Sequence, residues 1–130
     1  VLDRPEVLAQ LPRRPGLVPI AEDLFDPWST RADVAVLARV VHDWADQDAI
    51  RILRNVHSAL PTGGRVFLIE MLVADDGAVG GLCDLHLLMA TGGRERTQHE
   101  YTRLLDLAGF DLVEVRALAA LPSVIEGVAR

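Results

Sequence analysis

Residues 33–44 read Asp33-Val34-Ala35-Val36-Leu37-Ala38-Arg39-Val40-Val41-His42-Asp43-Trp44. The unbroken apolar run 34–38 is too short for a helix and suits a β-strand buried on both faces, as in a parallel sheet. A strand is expected over Asp33 to Val41, with His42 at its tip. Beyond it, Asp46 is a candidate helix cap. Ala49, Ile52, Leu53, Val56 and Leu60 then recur at helical spacing until Pro61 and Gly63-Gly64 stop the pattern. Val66 to Ile69 is a second apolar strand with Glu70 at its end and Met71 to Val73 continuing. Upstream, Leu17 to Ile20 forms a short strand running into Glu22-Asp23. Val1-Leu2 is the tail of another, closed by Asp3, and Pro5 suits the first turn of a short helix over 5 to 10. Short apolar runs alternating with amphipathic stretches predict an α/β domain with a mostly parallel sheet.

Farther downstream, residues 75 to 81 read as a loop and Leu82 to Ala90 as a helix ending at Gly92-Gly93. Thr97-Gln98-His99-Glu100 is a capping box. Tyr101, Leu104, Leu105 and Ala108 follow on one face, and Gly109 ends that helix. Asp111 to Leu118 and Ser123 to Val128 are expected to pair as an antiparallel hairpin at a sheet edge. No repeat or low-complexity tract divides the chain, so residues 1–130 form one domain.

The net charge of −6 excludes a basic patch of the kind that binds nucleic acid or an anionic membrane. All 13 basic residues are arginine, a compositional bias rather than chemistry. The lone cysteine, Cys83, rules out an internal disulfide and fits a reducing cytoplasm. No apolar run reaches transmembrane length. Val1-Leu2-Asp3 enters a strand in mid-stride, which suggests a fragment.

Four successive strands thus end in Asp3, Asp23, His42 and Glu70. Ligands of open parallel sheets bind outside the carboxyl ends of the strands, so these residues predict one functional rim. Acids there can grip ribose hydroxyls and an adenine amino group, and a histidine beside carboxylates can act as a general base. Neither GxGxxG nor GxxxxGK[ST] is present, which favours a nucleoside cofactor without phosphates. Each residue also has a plainer role open to it. His42 alone suits a structural histidine, Asp3 a helix cap, Asp23 a turn acid before Asp26-Pro27, and Arg94-Glu95-Arg96 a solvated charged loop. His57 and His99 are placed on helix surfaces, while Leu87, Leu88 and Met89 suit core or pocket wall.

The segments Glu22-Asp23-Leu24-Phe25, Arg39 to Asp46 (RVVHDWAD), Ala59 to Arg65 (ALPTGGR) and Gly92 to Thr97 (GGRERT) occur in order at fitting spacings. Together they resemble the S-adenosylmethionine (SAM) dependent small-molecule O-methyltransferases of plants and bacteria, the caffeate, isoflavone, hydroxyindole and antibiotic-tailoring enzymes. The resemblance implies a class I, Rossmann-like SAM-methyltransferase fold whose first strand and glycine-rich motif lie upstream of Val1. It implies that Asp3 holds the SAM ribose, that Asp23, Leu24 and Phe25 form the adenine-contacting segment, and that Trp44 lies near the adenine. His42 matches the catalytic base, and Glu70 and Glu95 the two acids flanking it; no metal is implied. The acceptor would be a small hydroxylated aromatic or polyketide-like molecule, and the full-length protein a homodimer. Ala38 stands where the family often has lysine, so any cofactor contact by that side chain is lost. The fragment alone is expected to bind SAM poorly. Two rivals remain at this point: a relative diverted to decarboxylation or hydroxylation, and a non-catalytic paralogue acting as a binding module.

Overall fold

A computed structural model describes residues 1–74, 87, 89, 92–119 and 122–130. The chain runs β1 (Leu2–Asp3), α1 (Pro5–Leu8), β2 (Ile20–Ala21), β3 (Val34–Ala38), a 3-10 turn (Val41–Asp43), α2 (Asp46–Ala59), β4 (Arg65–Met71), α3 (Gln98–Ala108), β5 (Phe110–Ala117) and β6 (Pro122–Ala129). The expected loop over 75–81 and helix over 82–90, with Cys83, His86 and Leu88, fall largely outside the described residues. Of the rest of that stretch, Leu87 is buried and Met89 exposed, so Met89 is not part of a core.

β1 and β2 pair in parallel as a two-stranded sheet. The second sheet has the order β3-β4-β6-β5, with β3 and β4 parallel and β6 antiparallel to both its neighbours. The C-terminal hairpin therefore lies where it was expected, with β6 inserted beside β4 and β5 at the edge. α2 and α3 pack on one face of this sheet. Ala49, Ile52, Leu53 and Val56 of α2 meet Val66 and Leu68 of β4, Ile125 of β6, and Tyr101, Leu104 and Leu105 of α3 in one cluster. Side chains of a strand alternate between faces, so Ala35 and Leu37 turn toward these helices. Val34 and Val36 turn away and are 49% and 60% exposed. The expectation that 34–38 is buried on both faces is thus corrected, because among the described residues the helices cover only one face.

Three of the departures from the sequence expectation have identifiable causes. β2 begins at Ile20 rather than Leu17, because Pro19 has no N–H to give to a ladder and Leu17 N–H closes a turn on Arg14 O. β3 stops at Ala38 rather than Val41. Arg39 takes φ +57°, and the N–H groups of Val40 and Val41 go to the Glu70 carboxylate instead of a neighbouring strand. Asp46 does not cap α2; the cap position is Ala45, without a side-chain bond, and the Asp46 carboxylate pairs with Arg96 and Arg94. The Thr97–Glu100 capping box forms in full and starts α3, and Gly109 ends it in the left-handed region at φ +99°. His57, expected on a helix surface, is half-buried. Its ring stands edge-on to Phe110 at 5.1 Å, against Gly109.

Candidate active site

The tip of β3 carries the site. Once the chain leaves the sheet at Arg39, the turn Val41–Asp43 buries His42 to 3% exposure. Glu70 projects from β4, the parallel neighbour of β3, and is fully buried. It has this position because it shares a face with Val66 and Leu68, the side covered by helices. One carboxylate oxygen, Oε1, accepts from Val40 and Val41 N–H at 3.1 and 2.9 Å. The other, Oε2, lies 3.7 Å from His42 Nδ1. Glu95 arrives from the segment before α3, is 4% exposed, and places Oε1 3.5 Å from the same ring nitrogen. The solvated-loop alternative for Glu95 and Arg96 is therefore excluded. On the opposite side of the ring, Nε2 lies 3.6 Å from Asp43 Oδ1.

The electrostatics follow from burial. Removal from water pushes the Glu70 carboxyl above its ordinary value; His42 and the amides of Val41 and Val40 pull it back, and Glu95 adds to the rise. The Tyr101 hydroxyl, buried behind the cluster, is driven upward by burial and by Glu70, against the opposing pull of Arg96. Asp46 is lowered: burial raises it, but the Arg96 guanidinium outweighs that.

In front of the cluster is a cleft of about 530 Å³ lined by Leu2, Asp3, Arg4, Glu22, Asp23, Leu24, Phe25, Arg39, Val40, Asp43 and Trp44. That volume is within the range of small-molecule sites. Its walls are set by local turns. Asp3 Oδ1 accepts from Arg4 N–H at 2.8 Å, and Asp23 Oδ1 accepts from Phe25 N–H at 2.8 Å, so the turn role of Asp23 and its place in the cleft coexist. Asn55 of α2 donates to Leu24 O, Trp28 to Asp23 O, and Phe25 meets Trp44 edge-on at 4.7 Å. The structure therefore brings all the sequence-selected residues to one rim: Asp3, Asp23, Leu24, Phe25 and Trp44 around the cleft, and His42, Glu70 and Glu95 directly behind it. A nucleoside fits this wall by chemistry, since carboxylates face the opening and two aromatic rings flank it. Among the described residues no group of side chains has the spacing to hold a metal ion. No described helix is long and apolar enough to cross a membrane.

Four residues that the sequence alone does not place in the site belong to it. Glu22 and Arg39 line the cleft, and Arg39 also reaches Glu95 at 3.8 Å. Arg96 is fully buried. Gly93 is required as glycine, because a Cβ there would overlap the carbonyl of His42 and the backbone of Asp43. The Gly92-Gly93 pair is the sequence signal for this close approach, although along the chain it reads first as a helix stop.

Residues 1–111 match the O-methyltransferase domain family. A curated relative is xanthohumol 4-O-methyltransferase of Humulus lupulus, 35% identical over 95% of this chain and 36% of its own length. Human N-acetylserotonin methyltransferase, solved in complex with SAM, aligns over 98% of this chain and 39% of its own with TM-score 0.89 and 31% identity. CalO1, a methyltransferase in calicheamicin biosynthesis solved with S-adenosyl-L-homocysteine bound, aligns over 99% and 40% with TM-score 0.88 and 34% identity. The chain spans about a third of the length of the curated relatives it matches. Its mixed sheet and helix placement are those of a class I, Rossmann-like SAM methyltransferase, and the chain belongs to the O-methyltransferase domain family.

Proposed function

We propose that the protein carrying this chain moves the methyl group of SAM to a hydroxyl of a small aromatic or polyketide-like acceptor, with His42 as the general base. The observation that supports this most is the convergence of Glu70 Oε2 and Glu95 Oε1 on one ring nitrogen of a buried histidine. Two buried carboxylates facing Nδ1, against the single, more exposed Asp43 carboxylate at Nε2, favour the proton on Nδ1 and leave the Nε2 lone pair to accept another. Nε2 then takes the acceptor's hydroxyl proton, and the carboxylates stabilise the imidazolium that results. SAM supplies a methyl already activated on a sulfonium centre. The remaining task of the chain is alignment, which can contribute roughly 7–11 kcal/mol in well-oriented systems.

In this reading Asp3 accepts from the ribose hydroxyls. Asp23, Leu24 and Phe25 present backbone and ring to the adenine, and Trp44 closes that wall. Asp3 is suited to the role because its carboxylate makes a single local bond and faces the cleft. The name of the hop relative, a 4-O-methyltransferase acting on xanthohumol, supports a phenolic hydroxyl as acceptor. Calorimetric titration with SAM, paired with a labelled-methyl transfer assay on simple phenols, tests the proposal. Binding with transfer supports it, binding without transfer to any hydroxyl points to a diverted relative, and no binding by the protein rejects it.

A further inference from the structure

The side chain of Arg96 is wholly buried, yet it touches neither the cleft nor the imidazole. A guanidinium has five N–H donors in a fixed plane, and all of them are used. Nε donates to Asp46 Oδ1 at 3.1 Å; Nη1 donates to Val41 O at 3.1 Å and Arg94 O at 3.4 Å; Nη2 donates to Trp44 O at 2.7 Å and Asp46 Oδ1 at 2.9 Å. Two of these acceptors, Val41 O and Trp44 O, bracket His42 in the chain. They are carbonyls of the 3-10 turn and its cap; Val41 O also accepts the Trp44 N–H that closes the turn at 3.3 Å, and Arg96 supplies its second donor. The Asp46 carboxylate ties the same guanidinium to the first turn of α2.

The backbone of the same segment completes the connection. Arg94 N–H donates to His42 O at 2.9 Å, and Gly93 permits that approach. On its other side the segment pairs in parallel with the end of β4, through a bridge between Arg96 and Leu72 and a bond from Val73 N–H to Arg96 O. Glu95 precedes Arg96 in the chain, and Glu70 lies two residues before Leu72. The pieces that carry the imidazole, the first acid and the second acid are therefore joined where one guanidinium sits.

We propose that Arg96 is a positioning residue: by holding the carbonyls on both sides of His42, it sets the orientation of the imidazole toward Glu70 and Glu95. The inference rests on the assignment of His42 as base but is read by a separate signal. Lysine cannot substitute, because three donors on one nitrogen cannot reach Val41 O, Trp44 O and Asp46 together.

The test compares the parent protein with Arg96→Lys and Asp46→Asn, by the 15N signals of the His42 ring and by turnover beside SAM affinity. In the parent, the ring signals report one tautomer with the proton on Nδ1. In Arg96→Lys they move toward averaged values, kcat falls about 10- to 100-fold, and the SAM Kd stays within about threefold, the loss expected from misplacement without lost contacts. Asp46→Asn, which keeps the guanidinium and removes one charge, shifts the same signals less. It carries the test by itself if the lysine variant does not fold. Ring signals and kcat identical to the parent in folded variants, with only the melting temperature lowered, overturn the proposal. If the parent transfers no methyl group, the reaction assignment fails, while the ring signals still decide the role of Arg96.

Discussion

The buried cluster around His42 and the cleft in front of it are built on opposite principles. The main anchors of the cluster come from elements remote in sequence: Glu70 takes amides 29 and 30 residues away, and Arg96 takes carbonyls 52 and 55 residues away. The acids of the cleft are held by their own turns, Asp3 by the next residue and Asp23 by the residue two on. Buried polar groups are costly to leave unpaired, whereas exposed ones retain water as a partner. The cluster is accordingly expected to tie stability and chemistry together, and the cleft to vary in affinity while the fold stays unchanged.

The largest effect expected is on chemistry within the cluster. His42→Ala should reduce turnover by about 10²–10⁴ while sparing SAM affinity, the range for loss of a general base. Comparable loss of both would place His42 in the cofactor wall and erase the contrast between the regions. The next largest effect is on stability. Glu70→Ala strands the N–H groups of Val40 and Val41 and should cost about 2–4 kcal/mol in a denaturant melt, from the usual penalty for each unpaired buried donor. Glu70→Gln keeps an oxygen for those amides and should melt close to the parent, but with much-reduced turnover.

The same pair of proteins gives a pH test whose sign is fixed by burial. Glu70 is raised, so the folded state holds its proton more tightly than the unfolded chain. Its ionisation then removes stability as pH rises from the ordinary value of 4.5 through the raised one. Glu70→Gln has no such loss, so its melting temperature relative to the parent should rise across that window and level off above it. A difference independent of pH would mean that Glu70 is not desolvated in the folded protein. The smallest effects belong to the cleft. Asp3→Ala should weaken SAM binding by about 10- to 100-fold, as for a lost hydrogen bond to a charged group, with stability changed by less than about 0.5 kcal/mol. Weaker acceptor binding alone would reassign that carboxylate.

What could be read in the sequence divides along the same line. The apolar stripe of α2 and the Thr97–Glu100 box depend on near neighbours in the chain, and both stand as expected. The rim of acids and histidine was legible because strand tips are marked by the switch from apolar to charged residues. The end of β3 was not, since it is set by a carboxylate from β4 that takes the amides of Val40 and Val41. Asp46 looked like a cap because its partner, Arg96, is far along the chain. Arg96 itself looked solvated for the same reason: an arginine is buried only where tertiary structure supplies acceptors for all its donors.

Turnover of His42→Gln at saturating SAM and acceptor tests the assignment of His42 most directly, because an amide keeps a polar group in that place but cannot take up the acceptor's proton. The account predicts turnover lower than the parent's by about 10²–10⁴ with SAM affinity kept. Turnover equal to the parent's in a folded variant would contradict it.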